Sequence, residues 1–206
     1  PAMVAPVTAT QTILAPDVEV ETPALIVSEE ILHNNISRMA SFAKSVGVDV
    51  RPHIKTHKLP LFARNQMELG AIGITCQKVG EAEVMADAGL GDIMIPFNII
   101  GASKLERVKT LSRHVKLTLC ADSAETVAGY AQAFEKAREP VSVLVECDTG
   151  AGRCGVQSPQ GAVALARLIT QHKGLHFAGL MTYPPQGRSE EALEWLRQTV
   201  DTLSEL

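Results

Sequence analysis

Apolar residues along the chain gather into short runs that recur at a nearly regular interval. Runs of β-type residues begin near Val48 (VDVRPHIK), Ile72 (IGITCQKV), Asp92 (DIMIPFN), Val115 (VKLTLCAD), Val141 (VSVLVECDTG) and Leu175 (LHFAGLMTY), with successive starts 24, 20, 23, 26 and 34 residues apart. Each is followed by a polar or glycine-containing loop and a helical stretch. SPQGAVALARLITQHKG is an example, with Lys173 and Gly174 placed to cap its end. The runs are continuous in hydrophobicity rather than alternating, which predicts parallel strands buried on both faces. Repeated βα units predict an α/β fold, a TIM-type (β/α)8 barrel before a doubly wound sheet. Period alone does not show closure, so the second arrangement stays open.

Three segments follow from this pattern. Residues 1–20 are rich in Pro, Ala, Thr and Val without periodicity and predict an extended arm. Residues 21–47 begin with the apolar run Thr22–Val27, read as a strand, and continue into a helix started by Ser28, Glu29 and Glu30. Residues 48–206 hold about six βα units. The last helix carries the apolar stripe Leu193, Leu196, Val200 and Leu203 and meets no stop signal before Leu206. Eight units close such a barrel, so the expectation is a barrel truncated after about six, with the sixth strand, Leu175–Tyr183, unpaired on one side or completed by another chain or a second copy.

Composition narrows the partners. With 46% hydrophobic and 20% charged residues among 206, the chain is neither disordered nor fibrous. Nineteen basic against 23 acidic residues, a net charge of −4, lack the basic footprint of a nucleic-acid binder and leave a small molecule as the expected partner. No apolar stretch approaches the roughly 18 residues of a membrane span. No Lys or Arg precedes Arg38, so the basic start of a signal peptide is missing and a cytoplasmic protein is expected. The spacing of Cys76, Cys120, Cys147 and Cys154 suggests reduced thiols.

In a barrel of this class the chemistry sits at the carboxyl ends of the strands. The first run ends in Arg51-Pro52-His53-Ile54-Lys55-Thr56-His57-Lys58. It can be a solvated basic loop. Alternatively, since Lys55 alternates with Ile54 along a buried strand, one of them faces the mouth, and a partly desolvated lysine becomes an amine fit for a Schiff base. His53 and His57, four apart on an extended strand, would share one side and could form a metal pair. The fifth run ends in Glu146-Cys147-Asp148-Thr149-Gly150-Ala151-Gly152-Arg153-Cys154-Gly155-Val156. Its glycines allow backbone amides to approach a ligand, no Lys follows them as in a phosphate loop, and Asp148 and Arg153 either face the mouth or close the loop as a salt bridge. The sixth run ends at Tyr183, stopped by Pro184 and Pro185, and the ring is either a core aromatic or a stacking surface for a planar cofactor.

RPHIKTHK, with TPALIV before it, TCQKVGEAEVMADAG after it and DTGAGRCGV further on, resembles the fold-type III pyridoxal-phosphate enzymes of the alanine racemase N-terminal barrel type. Within them it is most similar to D-threonine aldolases and eukaryotic-type D-serine dehydratases, over about residues 20–190. The resemblance implies that Lys55 holds pyridoxal 5'-phosphate and that Arg153 approaches its phenolic oxygen, these two being the catalytic residues. Tyr183 then lies at the pyridine face, with His53 and Gln77 also at the cofactor. It implies a lyase or aldolase acting on D-configured β-hydroxy amino acids, homodimeric at full length, with an amino-acid racemase as the alternative. A C-terminal β domain sharing strand Thr22–Val27, a divalent metal within that domain, and a phosphate cup after the seventh barrel strand are also implied. Neither metal nor cup is recognisable in this sequence, so poor cofactor binding by these residues alone is expected. Where aldolases carry a histidine soon after the aromatic, this chain has Pro184-Pro185-Gln186-Gly187, a departure that bears on retro-aldol chemistry. Two other classes stand beside this reading: a non-catalytic pyridoxal-phosphate carrier and a metal-dependent hydrolase using His53 and His57.

Overall fold

In the computed structural model, which describes residues 19–204, strands β1 (Ile74–Thr75), β2 (Asp92–Ile95), β3 (Lys116–Ala121), β4 (Val141–Cys147) and β5 (Leu175–Thr182) form one sheet in chain order. Every neighbouring pair is parallel. Helices α1 (Glu29–Val46), α2 (Pro60–Glu68), α3 (Val79–Asp87), α4 (Ala102–Leu111), α5 (Ala124–Phe134), α6 (Pro159–Thr170) and α7 (Ser189–Ser204) intervene or flank. A doubly wound sheet reverses its strand order at a switch point. This sheet has no reversal, so the barrel-type arrangement holds, as an open arc of α/β units. Among the described residues no helix is long and apolar enough to cross a membrane. Most of the arm expected over residues 1–20 lies outside the described residues.

Two expected strands do not form. The run from Val48 follows β1 only through bonds from the Ile72 and Thr75 N–H groups to the Val50 and Pro52 carbonyls, at 3.0 and 2.8 Å, and a bridge at His53. Pro52 has no N–H to return to the ladder, and the chain turns at once into a short 3-10 turn, Ile54–Thr56. Thr22–Val27 likewise forms no strand. Leu25 is 92% exposed, and no sheet edge lies beside it among the described residues.

Burial also departs from the continuous pattern. Ile93, Ile95, Leu117, Leu119, Val141, Val143 and Val145 are buried beneath the helices, whereas Met94, Thr118, Ser142 and Leu144 on the opposite face are only partly covered. From β2 to β4 the sheet is thus buried on the face beneath the helices, and in β5 only Leu175 is buried. Apolar residues such as Met94 and Leu144 made the runs read as continuous. They line the face that a closed barrel turns inward.

Local signals place the helices. Ser28, Ser123 and Ser158 each accept a backbone N–H in the first turn of α1, α5 and α6, and α1 ends on Gly47 at φ 70°. The expected cap at Lys173-Gly174 is different: α6 ends earlier, at Thr170, with Gln171 as its cap. Gly174 is instead buried where the chain crosses the end of α5, and a Cβ there would lie 2.7 Å from the Phe134 carbonyl carbon and closer still to its oxygen.

Gly174→Ala therefore forces the α6–β5 crossover away from α5. The expected loss is about 3 kcal/mol of stability, the upper part of the overpacking range. Urea unfolding should show a lower midpoint with unchanged slope, and an unshifted midpoint would refute the close approach.

Candidate active site

Parallel strands in one sheet end on the same side, so the residues following β1 to β5 form a common rim. At its first edge, Ile54 is fully buried and Lys55 is exposed. Lys55 is thus the outward member of the alternating pair, but it sits on the 3-10 turn rather than a strand, and the expected desolvation of its amine is not found. The His53 Nδ1 accepts the Lys55 backbone N–H at 3.3 Å and so begins the turn. Burial holds the His53 pKa below its usual value, the Lys55 charge adds to this, and Gln77 and Glu81 oppose it. The ring is therefore neutral near pH 7. With Nδ1 acting as acceptor, its proton belongs on Nε2, a buried atom that has the Gln77 side chain as a neighbour but no hydrogen bond of good geometry among the described residues.

The neighbouring groups are already engaged. Glu81 accepts the Gln77 backbone N–H at 2.7 Å and pairs with Lys58 Nζ at 3.3 Å, whereas Lys55 has no ion pair among the described residues. His57 does not join His53 as the extended-strand spacing suggested. The 3-10 turn intervenes, His57 Nδ1 accepts the Leu59 N–H at 3.1 Å, and its ring packs 5.6 Å from Phe62. Among the described residues no three His, Cys, Asp or Glu side chains gather as a metal site.

The other edge is built by the loop after β4. Asp148 Oδ1 accepts the N–H groups of Gly150 and Gly152 at 2.9 and 3.0 Å, which holds its carboxyl below the usual range. Gly155 returns the loop so tightly that a Cβ would lie 2.5 Å from the Asp148 nitrogen. The salt bridge considered between Asp148 and Arg153 is therefore not how the loop closes. Arg153 turns to Glu146, with Nη2 3.6 Å from Oε1. Glu146 is 1% exposed, and Cys154 Sγ lies 2.9 Å from its Oε1. The Arg153 guanidinium stacks 4.3 Å from the Tyr183 ring and 5.4 Å from that of Phe97. Tyr183 is 59% exposed, so it is a rim residue rather than a core aromatic.

Between the edges, Asn98 and Asp122 exchange two hydrogen bonds at 2.8 and 3.2 Å, and Asp122 Oδ2 accepts the Gly155 N–H at 3.1 Å. Thr182 Oγ1 donates to the Cys147 carbonyl at 2.9 Å. The structure thus assembles His53, Lys55 and Gln77 at one edge and Arg153 with Tyr183 at the other. No hydrogen bond or ion pair joins the two groups among the described residues. Sequence reasoning missed Phe97, Asn98 and Asp122, and it gave Glu146 and Cys154 no role. Glu146 did carry a signal, as the charged residue within the apolar run VSVLVEC.

Comparison with known proteins identifies the family and the fold. A D-threonine aldolase from Arthrobacter sp is 39% identical over 168 residues, covering 82% of this chain and 44% of that protein. A 3-hydroxy-D-aspartate aldolase from Paracoccus denitrificans is 34% identical over 172 residues, with the same 82% and 44% coverage. The crystal structure of D-threonine aldolase from Filomicrobium marinum superimposes with a TM-score of 0.87 and 38% identity, over 90% of this chain and 53% of that one. The chain spans about half the length of these relatives. The sequence pattern described as alanine racemase, N-terminal domain, matches residues 27–205. With parallel strands in chain order beneath that match, the chain belongs to the alanine racemase N-terminal domain family.

Proposed function

We propose that this chain is the barrel portion of a pyridoxal-phosphate-dependent lyase that acts on D-configured β-hydroxy amino acids. The observation that carries the reading is the state of the lysines on the first rim loop. Lys58 is paired with Glu81, while Lys55 is exposed and free of ion pairs among the described residues, so its Nζ is accessible for covalent attachment. The rim fits such a cofactor in other respects: a buried His53 Nε2 lacks an acceptor, and the Arg153 guanidinium is held beside an exposed aromatic ring. D-threonine and 3-hydroxy-D-aspartate aldolases among the relatives support the substrate class.

When bound, pyridoxal phosphate supplies an electron sink conjugated to the substrate α-carbon. The chain supplies the rest. Lys55 would hold the group through Nζ and, once displaced by substrate, serve as a proton carrier at that atom. Arg153 would keep negative charge on the phenolic oxygen, an effect strengthened where the site is shielded from water. The His53 Nε2–H and the Gln77 side chain are the donors available to the cofactor at the first edge.

Lys55→Ala should abolish both the visible cofactor band and release of aldehyde or ammonia from D-threonine or D-serine. A retained band, or a borohydride-reduced label mapped to Lys58 or Lys78, would refute the assignment. Cofactor binding without turnover of either amino acid would favour a carrier over a lyase.

Arg153→Leu should lower turnover about a hundredfold, the scale for losing a preorganised charge, while unfolding stays cooperative because the residue is at the rim. An unchanged rate would remove Arg153 from the chemistry.

A further inference from the structure

The loop after β4 carries a thiol that the lyase reading does not use. Cys154 Sγ lies 2.9 Å from Glu146 Oε1 and 3.3 Å from Arg153 Nε, and Arg153 Nη2 lies 3.6 Å from the same Glu146 oxygen. The direction of each bond follows from the groups. Arginine can only donate, so the sulfur accepts from Nε–H, and the one proton of the thiol is left for Glu146. The result is a closed ring of three groups anchored on a buried carboxylate.

That ring solves a mechanical problem. The Arg153 side chain is 42% exposed, and a long side chain at a rim ordinarily samples many rotamers. Tyr183 and Phe97 offer it aromatic surface. Cys154 and Glu146 supply directional bonds at its Nε and Nη2. Glu146 Oε2 has no partner among the described residues, so this carboxylate depends on the bonds at Oε1. Alanine at position 154 would remove the thiol donor and leave Arg153 Nε–H without its acceptor.

We propose that Cys154 is a positioning residue: by donating to Glu146 and accepting from Arg153, it fixes the guanidinium over the rim and so sets how tightly the cofactor is held there. Only the last step rests on the pyridoxal-phosphate reading. The clamp requires the thiol to stay protonated, and its surroundings favour this. Burial and the bond to Glu146 push the Cys154 thiol up, while Arg153 pulls the other way. On β3, the Cys120 thiol also neighbours Cys154 and is itself held protonated by burial, and Asp122 engages the adjacent Gly155 N–H.

Two measurements test the clamp. In cofactor-free protein, Cys154 is the thiol open to 5,5'-dithiobis(2-nitrobenzoate), since Cys76, Cys120 and Cys147 are buried. Its reaction should reach half-maximal rate at a higher pH than that of an ordinary, unburied cysteine. Glu146→Gln should shift this midpoint to lower pH, because removing a neighbouring negative charge favours the thiolate. A thermal melt confirms that the variant is folded. Coincident profiles for wild type and Glu146→Gln would overturn the clamp.

The second measurement is titration of the full-length protein with pyridoxal phosphate, followed by absorbance. Cys154→Ala should weaken binding roughly tenfold, the scale of a lost charge-assisted hydrogen bond, while the visible band still forms on Lys55. Cys154→Ser, whose hydroxyl can both donate and accept, should recover most of the affinity. Wild-type affinity in Cys154→Ala, or equal weakening in the Ala and Ser variants, would overturn the positioning role. If the full-length wild-type protein bound no pyridoxal phosphate, the lyase reading would fail, and the pH profile would still decide the clamp.

Discussion

Strands that pair in parallel and in chain order oblige every connection to cross the sheet on the same side, and the rest of this structure follows from that constraint. Helices then cover one face. The residues beneath them, from Ile93 and Ile95 through Leu117 and Leu119 to Val143 and Val145, become a continuous apolar layer. All five strands also end at one rim, which is why residues as far apart in sequence as Lys55 and Tyr183 belong to one candidate site.

A rim made of loops needs internal ties to hold side chains in place. Buried Tyr130 provides one: its hydroxyl donates to the Cys120 carbonyl and accepts the Ile99 N–H, both at 2.9 Å, joining α5 to the end of β3 and to the loop after β2. Burial pushes this phenol up, so it keeps the proton that the bond to Cys120 needs. The Asn98–Asp122 exchange ties β2 to β3, and the Asp122–Gly155 bond extends the tie to the loop after β4. These bonds run between strand ends, so the spacing of the site follows the spacing of the sheet.

The two edges of the rim contribute different chemistry. One presents the Lys55 side chain, without an ion pair among the described residues, beside a neutral imidazole whose Nε2 has no hydrogen bond among them. The other presents a guanidinium held between aromatic rings and a buried carboxylate. Covalent capture suits the first and stabilisation of negative charge suits the second. The arrangement around Arg153 also explains the glycines of its loop. Asp148 needs the N–H groups of Gly150 and Gly152 turned inward, at φ 112° and 65°, and Gly155 must approach its backbone without a Cβ.

The sequence by itself determined the class of fold, the order of its units, the starts of α1 and α6, and the loops that carry the candidate site residues. These features are written in short-range signals: an interval between apolar runs, and a serine before a helix. The single-sided burial was less legible, because Met94 and Leu144 are apolar whichever face they occupy. Partnership was decided by tertiary structure alone. Arg153 meets Glu146, Tyr183 and Phe97 rather than Asp148, His57 turns from His53, and Gly174 serves a crossing instead of a cap. Each depends on the register between strands, on the three-residue turn Ile54–Thr56 or on a crossing of two segments, none of which a short-range pattern specifies.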